Sequence, residues 1–275
     1  MIITLASKSL INRKGSVLLT ITALTVSLFV LLAVDHIRLQ TKQSFASTLS
    51  GTDLIVGSRT SSINLLLYSV FRIGSPTANL NWDSYQYFKN HPKVAWTIPI
   101  SLGDSHKGFR VMGTTQDFFL HYQYGNKKKV VFAEGKKFND MTEVVLGADV
   151  AKQLHYAIND PIVLAHGIAA TSFSIHDQHP FNIVGILEPT GTPIDQSLYV
   201  SLQGIEAIHN NTASTTSITA FMVGLTSRIS TFTLQKNINQ YSAEALTAIL
   251  PGVALSELWQ IVGSVEDILA VISYL

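Results

Sequence analysis

Cysteine is absent from the 275 residues, which excludes disulfides, thiolate metal sites and cysteine nucleophiles. Charge is scarce: 13% of residues are Asp, Glu, Lys or Arg, against roughly a quarter in an average soluble domain. With a net charge of +1, the chain lacks the basic field that nucleic-acid binding requires. Two enzyme signatures are also missing. No G-x-x-x-x-G-K-[ST] phosphate loop occurs, since Gly135-Lys136 is followed by Lys137 and has no earlier glycine at the right spacing. The chain therefore cannot cradle ATP in the usual way. A G-x-S-x-G nucleophile elbow is absent too, and with it the α/β-hydrolase arrangement.

The deficit of charge is concentrated in one place. Gly15–Val34 (GSVLLTITALTVSLFVLLAV) carries no charged residue, and as a helix it spans about 30 Å, the thickness of the bilayer hydrocarbon. Thr20, Thr22, Thr25 and Ser27 are compatible with this, because hydroxyls bond back to helix carbonyls. A signal peptide has a shorter apolar core followed by small residues. Here the run leads into Val34-Asp35-His36, which reads as a retained transmembrane helix. Lys8, Arg13 and Lys14 precede it, while Arg38 and Lys42 follow it with Asp35 between. The positive-inside bias places residues 1–14 in the cytoplasm, where Ile2, Ile3, Leu5, Leu10 and Ile11 form an interfacial segment. Residues 35–255 then lie outside. Residues 256–275 climb in hydrophobicity and end in ILAVISYL, a stretch spanning only about 12 Å. This reads as the start of a second membrane helix, so the natural protein is expected to continue.

Between these segments the pattern is mixed. Residues 35–50 continue the helix as a stalk, through Ile37, Leu39, Phe45 and Leu49. Strands are expected at 53–56, 94–102, 108–113, 143–146, 161–165, 181–187, 197–202 and 218–225. Helices are expected at 62–72, 82–90, 147–154 and 204–209. Ser227–Leu250 reads as one further helix, with Ile229, Phe232, Ile238, Tyr241, Ala245 and Ile249 in a stripe. Strands and helices without a regular βαβ repeat give an α+β class.

The histidines are the residues with most chemical promise. All nine follow the apolar run. His166, His176 and His179 lie close together in sequence, and Glu206 and His209 share one helix face by their i, i+3 spacing. Imidazole and carboxylate suit zinc, and strands 161–165 and 181–187 read as hairpin neighbours, so these five residues form a candidate zinc site. The H-E-x-x-H spacing is absent, and surface histidines are the plainer reading. Lys127–Lys129 reads as a solvated loop tip. Thr190–Asp195 reads as a turn, with a subunit contact through Asp195 as the alternative.

Three segments carry a family resemblance: LASKSLINRKGSVLLT (Leu5–Thr20), VVLGADVAKQLHYAINDPIVL (Val144–Leu164) and FNIVGILEPTGTPIDQSLYVSL (Phe181–Leu202). In this order they resemble ABC-transporter permeases of the MacB/LolE/FtsX type. One departure is Asn159-Asp160, where the family usually has Gly-Asp. The resemblance implies four membrane helices, of which this chain would lack the last three, and a periplasmic domain of two subdomains after the first helix. It implies a location in the inner membrane and a non-enzymatic subunit. The partners it implies are an ABC ATPase subunit that binds the ATP, a second permease subunit in a homo- or heterodimer, and a periplasmic protein. Its role would be to couple ATP hydrolysis to export or extraction of a substrate at the outer face of the membrane. The rival reading is a single-pass receptor whose outer domain senses a metal or small ligand.

Overall fold

The computed structural model describes residues 13–167, 180–210 and 214–273. The chain falls into two units, Met1–Phe45 and Ala46–Leu275. The first is built on helix α1 (Lys14–Ser47). Its segment Lys14–Ile37 has a mean hydropathy of 2.6 and is unburied. Thr20, Thr22 and Thr25 donate their hydroxyls to the carbonyls of Ser16, Leu18 and Ile21, one turn back, at 3.0, 2.8 and 2.8 Å. Their polar groups are thus paired within the helix, as a lipid environment demands. The helix continues past the apolar run to Ser47, in agreement with the stalk pattern.

The second unit is α+β. Its first strands are β1 (Leu54–Ser58), β2 (Leu80–Asn81), β3 (Val94–His106), β4 (Phe109–Thr114), β5 (Gln123–Tyr124), β6 (Lys128–Lys129), β7 (Phe132–Gly135) and β8 (Glu143–Leu146). They are followed by β9 (Pro161–Ile162), β10 (Ala165–His166), β11 (Phe181–Leu187), β12 (Ser197–Ser201), β13 (Ser217–Ile218), β14 (Ala220–Leu225) and β15 (Leu246–Ile249). The helices are α2 (Ser62–Leu66), α3 (Trp82–Lys89), α4 (Asp117–His121), α5 (Ala148–Leu154), α6 (Leu202–Asn210), α7 (Thr231–Asn239) and α8 (Pro251–Ser273).

Eleven strands share one mixed sheet, in the order β15-β1-β14-β3-β4-β12-β8-β11-β7, with β10 beside β3 and β9 beside β11. The 13-residue strand β3 organises it. From Val94 to Ile100 it pairs with β14, and from Ser101 onward it pairs with β4. Two hydrophobic cores pack against the sheet. One core packs Tyr85 and Phe88 of α3 and Leu234 and Ile238 of α7 against Leu54, Val56, Phe221 and Val223. The other packs Val150 of α5 and Ile205 and Ile208 of α6 against Val144, Leu146, Ile183 and Val200. Each such side chain contributes about 1.5–3 kcal/mol on full burial. A third apolar contact fixes α4, where Phe118 stacks on Tyr199 of β12 with ring centroids 4.7 Å apart.

The single helix expected over Ser227–Leu250 does not form. A 3-10 turn at Arg228–Ser230 leads into α7, which ends at Asn239, and Leu246–Ile249 is strand β15, paired with β1. Ile229 and Phe232 of the expected apolar stripe are 91% and 72% exposed. The buried face of α7 is Thr231, Leu234 and Ile238, of which Ile238 belongs to the expected stripe. A short run such as Leu-Thr-Ala-Ile fits either period, and the open edge of β1 decides in favour of strand. The expected helix at 62–72 also divides. α2 is followed by a π-helical turn, Leu67–Phe71, and Arg72 closes it in the left-handed region at φ 60°.

Candidate functional site

Two sequence features converge where the second half of β3 meets α6. Pairing of β3 with β4 shifts between Leu102 and Ser105, an irregularity of the kind that re-aims a side chain. Asp104 sits inside it and is 1% exposed. From the other side comes α6, which follows β12 without a loop and buries Leu202, Ile205 and Ile208. That apolar face sets the rotation of the helix. His209 Nε2 lies 3.0 Å from Asp104 Oδ1, with the His209 side chain 25% exposed. The hydrogen bond to Asp104 raises the His209 pKa above the usual histidine value. Burial opposes that rise, and the charges of Asp104 and Glu206 add to it.

The neighbouring His106 behaves in the opposite way. Its Nδ1–H donates to the carbonyl of Val163 at 2.7 Å, and its Nε2 accepts from the Tyr156 hydroxyl at 2.9 Å. Burial pushes its pKa down, with the Val163 bond opposing and Lys107 assisting. One imidazole is therefore held towards its cationic form and the other neutral.

Of the five residues in the zinc expectation, Glu206 and His209 share α6 as their spacing predicts, and Glu206 is 8% exposed. His166 closes β10. That strand does not stay with the 181–187 strand as a hairpin would. β9 pairs with β11, whereas β10 crosses to β3, where His166 is the register partner of Asp104. His176 and His179 lie outside the described residues. Among the described residues no three His, Asp or Glu side chains converge on one metal position. Sequence reasoning missed Asp104, because the strand was expected to end at Leu102. The signal was Gly103-Asp104, a glycine and an acid interrupting a strand pattern, which marks a bulge.

A second concave feature lies elsewhere. An open cleft of about 820 Å³ is lined by Lys136, Asp140, Thr142, Glu143, Asn159 and Asn182, among others. Glu143 Oε2 already accepts the amides of Asn139 and Asp140, at 2.5 and 3.0 Å. Asn159 adopts φ 73°, so asparagine here takes the left-handed conformation that glycine would otherwise supply. Among the described residues that line the cleft there is no nucleophile–base pair.

The Thr190–Asp195 turn is built around its acid. Asp195 is buried, and its carboxylate accepts the Thr190 and Gly191 amides at 2.9 and 2.7 Å and the Thr190 hydroxyl at 2.9 Å. A carboxylate so fully engaged closes the turn and offers little to another subunit.

Residues 17–241 match the family model described as the MacB-like periplasmic core domain. Among solved structures the chain is similar to the periplasmic region of MacB from Actinobacillus actinomycetemcomitans, at 10% identity and a TM-score of 0.49, covering 77% of this chain and 94% of that one. It is also similar to the extracellular domain of the noncanonic ABC-type transporter YknZ from Gram-positive bacteria, at 11% identity and a TM-score of 0.45, covering 72% and 99%. No curated protein sequence matches the chain.

Proposed function

The chain belongs to the MacB-like periplasmic core domain family of ABC-transporter permeases, and we propose from this that it passes the work of a separate ATPase to the outer side of a membrane. The observation that carries the reading is the family match over residues 17–241. Lys14–Ile37 is long and apolar enough to cross a bilayer, which supports a membrane anchor with the second unit outside the cytoplasm.

The geometry of the second unit suits transmission. The chain reaches it from α1 through residues 48–53 into β1, and leaves it from β15 through Leu250 into α8. β1 and β15 are adjacent antiparallel strands, with Ile55 opposite Ile249. Both long helices are thus joined to one hydrogen-bonded ladder, and α8 also packs on α2. A displacement delivered along either helix enters the sheet at the same edge and travels through β14 into β3. The chain carries no phosphate loop, so ATP hydrolysis belongs to a partner in this reading. A homo- or heterodimer of permease subunits and a partner on the outer side complete the proposed assembly.

The test is purification of the tagged chain from its native membrane. An ATPase subunit should co-purify, the complex should hydrolyse ATP, and the isolated chain should not. A phosphatase fused at the exposed hairpin turn near Gly125 should be active. Hydrolysis by the chain alone, or activity only from a cytoplasmic reporter at that turn, overturns the reading.

A further inference from the structure

The two outer strands of the large sheet are β15 and β7, and they are finished differently. Side chains of α7 cap β15. The Ala248 amide donates to Asn239 Oδ1 at 2.7 Å, and Gln235 Nε2 donates to the Ala248 carbonyl at 3.0 Å. Among the described residues β7 pairs with β11 alone, and no side chain caps its other edge. Ala133, Glu134 and Gly135 of β7 are exposed. Register passes from Glu134 opposite Ile186 to Phe132 opposite Leu187, which leaves Ala133 as a bulged residue with no partner in β11. An outer strand of this kind presents unpaired amides and carbonyls, a template for one more strand.

The charge around this edge has one sign. Residues 126–137 read NKKKVVFAEGKK, with five lysines and one glutamate. The whole chain has a net charge of +1, so the rest of it is net negative. Lys127, Lys128 and Lys129 come just before β7, and Lys136 and Lys137 come just after it. All five are exposed, and among the described residues none forms an ion pair. Lysines and bulges are devices that keep an edge from pairing with copies of itself, since a second copy brings the same charge. The field that rejects a second copy favours a strand of opposite sign.

We propose that the outer edge of β7 receives an extended acidic segment of a partner protein as an added strand, with the flanking lysines pairing its carboxylates. Main-chain hydrogen bonds supply affinity in this mode of recognition, and side chains select the partner. The proposal deepens the reading above, in which a partner on the outer side completes the assembly. It concerns the purified chain alone, so its failure would leave the coupling to an ATPase untouched.

The experiment uses the full chain in detergent and a fluorescent synthetic peptide of alternating glutamate and valine, with binding read by anisotropy. Saturable binding is expected, with a dissociation constant in the micromolar range and slowed amide exchange at Ala133. High salt should weaken it by about tenfold or more, because exposed charges are screened. The same peptide with every second amide N-methylated keeps its charge but cannot complete the edge ladder. It should bind about tenfold more weakly. Lys128→Glu with Lys129→Glu, and Lys136→Glu with Lys137→Glu, should each weaken binding by about tenfold. Ala133→Pro removes an edge amide without breaking a register pair with β11, and should weaken binding as well. It is read only if circular dichroism shows it folded, and the methylated peptide decides the matter if it is not. Equal binding of the two peptides overturns the proposal, since charge alone would then hold the acidic chain. So does the absence of saturable binding to the folded wild-type chain.

Discussion

The hydroxyl of Tyr122 donates to the main-chain carbonyl of Thr48 at 2.5 Å, joining positions 74 residues apart. Beside it the Ser50 amide donates to the Gln123 carbonyl at 2.9 Å. The β5–β6 hairpin is therefore fastened to the stretch that links α1 to β1. Tyr122→Phe should lower stability by about 1–2 kcal/mol and speed hydrogen exchange at the Ser50 amide while leaving the β3 amides protected. Unchanged exchange at Ser50 would mean that the hydroxyl does not hold this junction.

Asp195→Ala should cost about 2–4 kcal/mol, because its carboxylate accepts two amides and a hydroxyl inside the protein. Denaturant unfolding measures this directly. A variant of wild-type stability that failed only to assemble with other subunits would restore the subunit-contact reading of Asp195.

Gly147→Ala should be damaging for a different reason. A Cβ at this position would meet the carbonyl oxygens of Asp195 and Ile194 at 2.4 Å each. These are backbone atoms that cannot rotate away, so the 3-10 turn at Pro193–Gln196 must shift. The expected penalty is about 1–3 kcal/mol, seen as a lowered melting temperature. A neutral result would show that the turn is loosely held.

Helix α7 and the 3-10 turn that leads into it provide a paired comparison. Leu234→Ala should cost about 2–5 kcal/mol, since Leu234 is 0% exposed and lies in the first core. Ile229→Ala should change stability by no more than about 0.5 kcal/mol. If the two were equal, the buried face of α7 would be wrongly assigned.

That comparison also marks where the sequence was legible. The strands at 143–146 and 181–187 were expected at their observed bounds, because continuous apolar runs flanked by turn residues have one simple reading. The extension of α1 to Ser47 was equally plain, since a helical period continues across the end of the apolar run. Leu246–Ile249 was misread because strand β15 exists by virtue of its partner β1, nearly two hundred residues earlier, and no local period records that. The same limit applied to the site. Glu206 and His209 could be grouped because three residues on a helix make neighbours. Asp104 could not be joined to His209, because their meeting depends on a bulge in one strand and on the rotation of α6. His166 was singled out for its residue type, whereas its register with Asp104 is a property of the sheet.

Strand β3 carries a consequence for anyone who would re-engineer this protein. Its first half pairs with β14 and its second half with β4. No loop therefore separates the β14 side of the sheet from the β4 side at that crossing. A chimaera that grafted a foreign β4 side onto the native β14 side would have to be spliced within a hydrogen-bonded strand, with the pleat kept in phase across the seam. An error of one residue would turn every later side chain of that strand to the opposite face. The two sides of the sheet are best exchanged as a pair or left together.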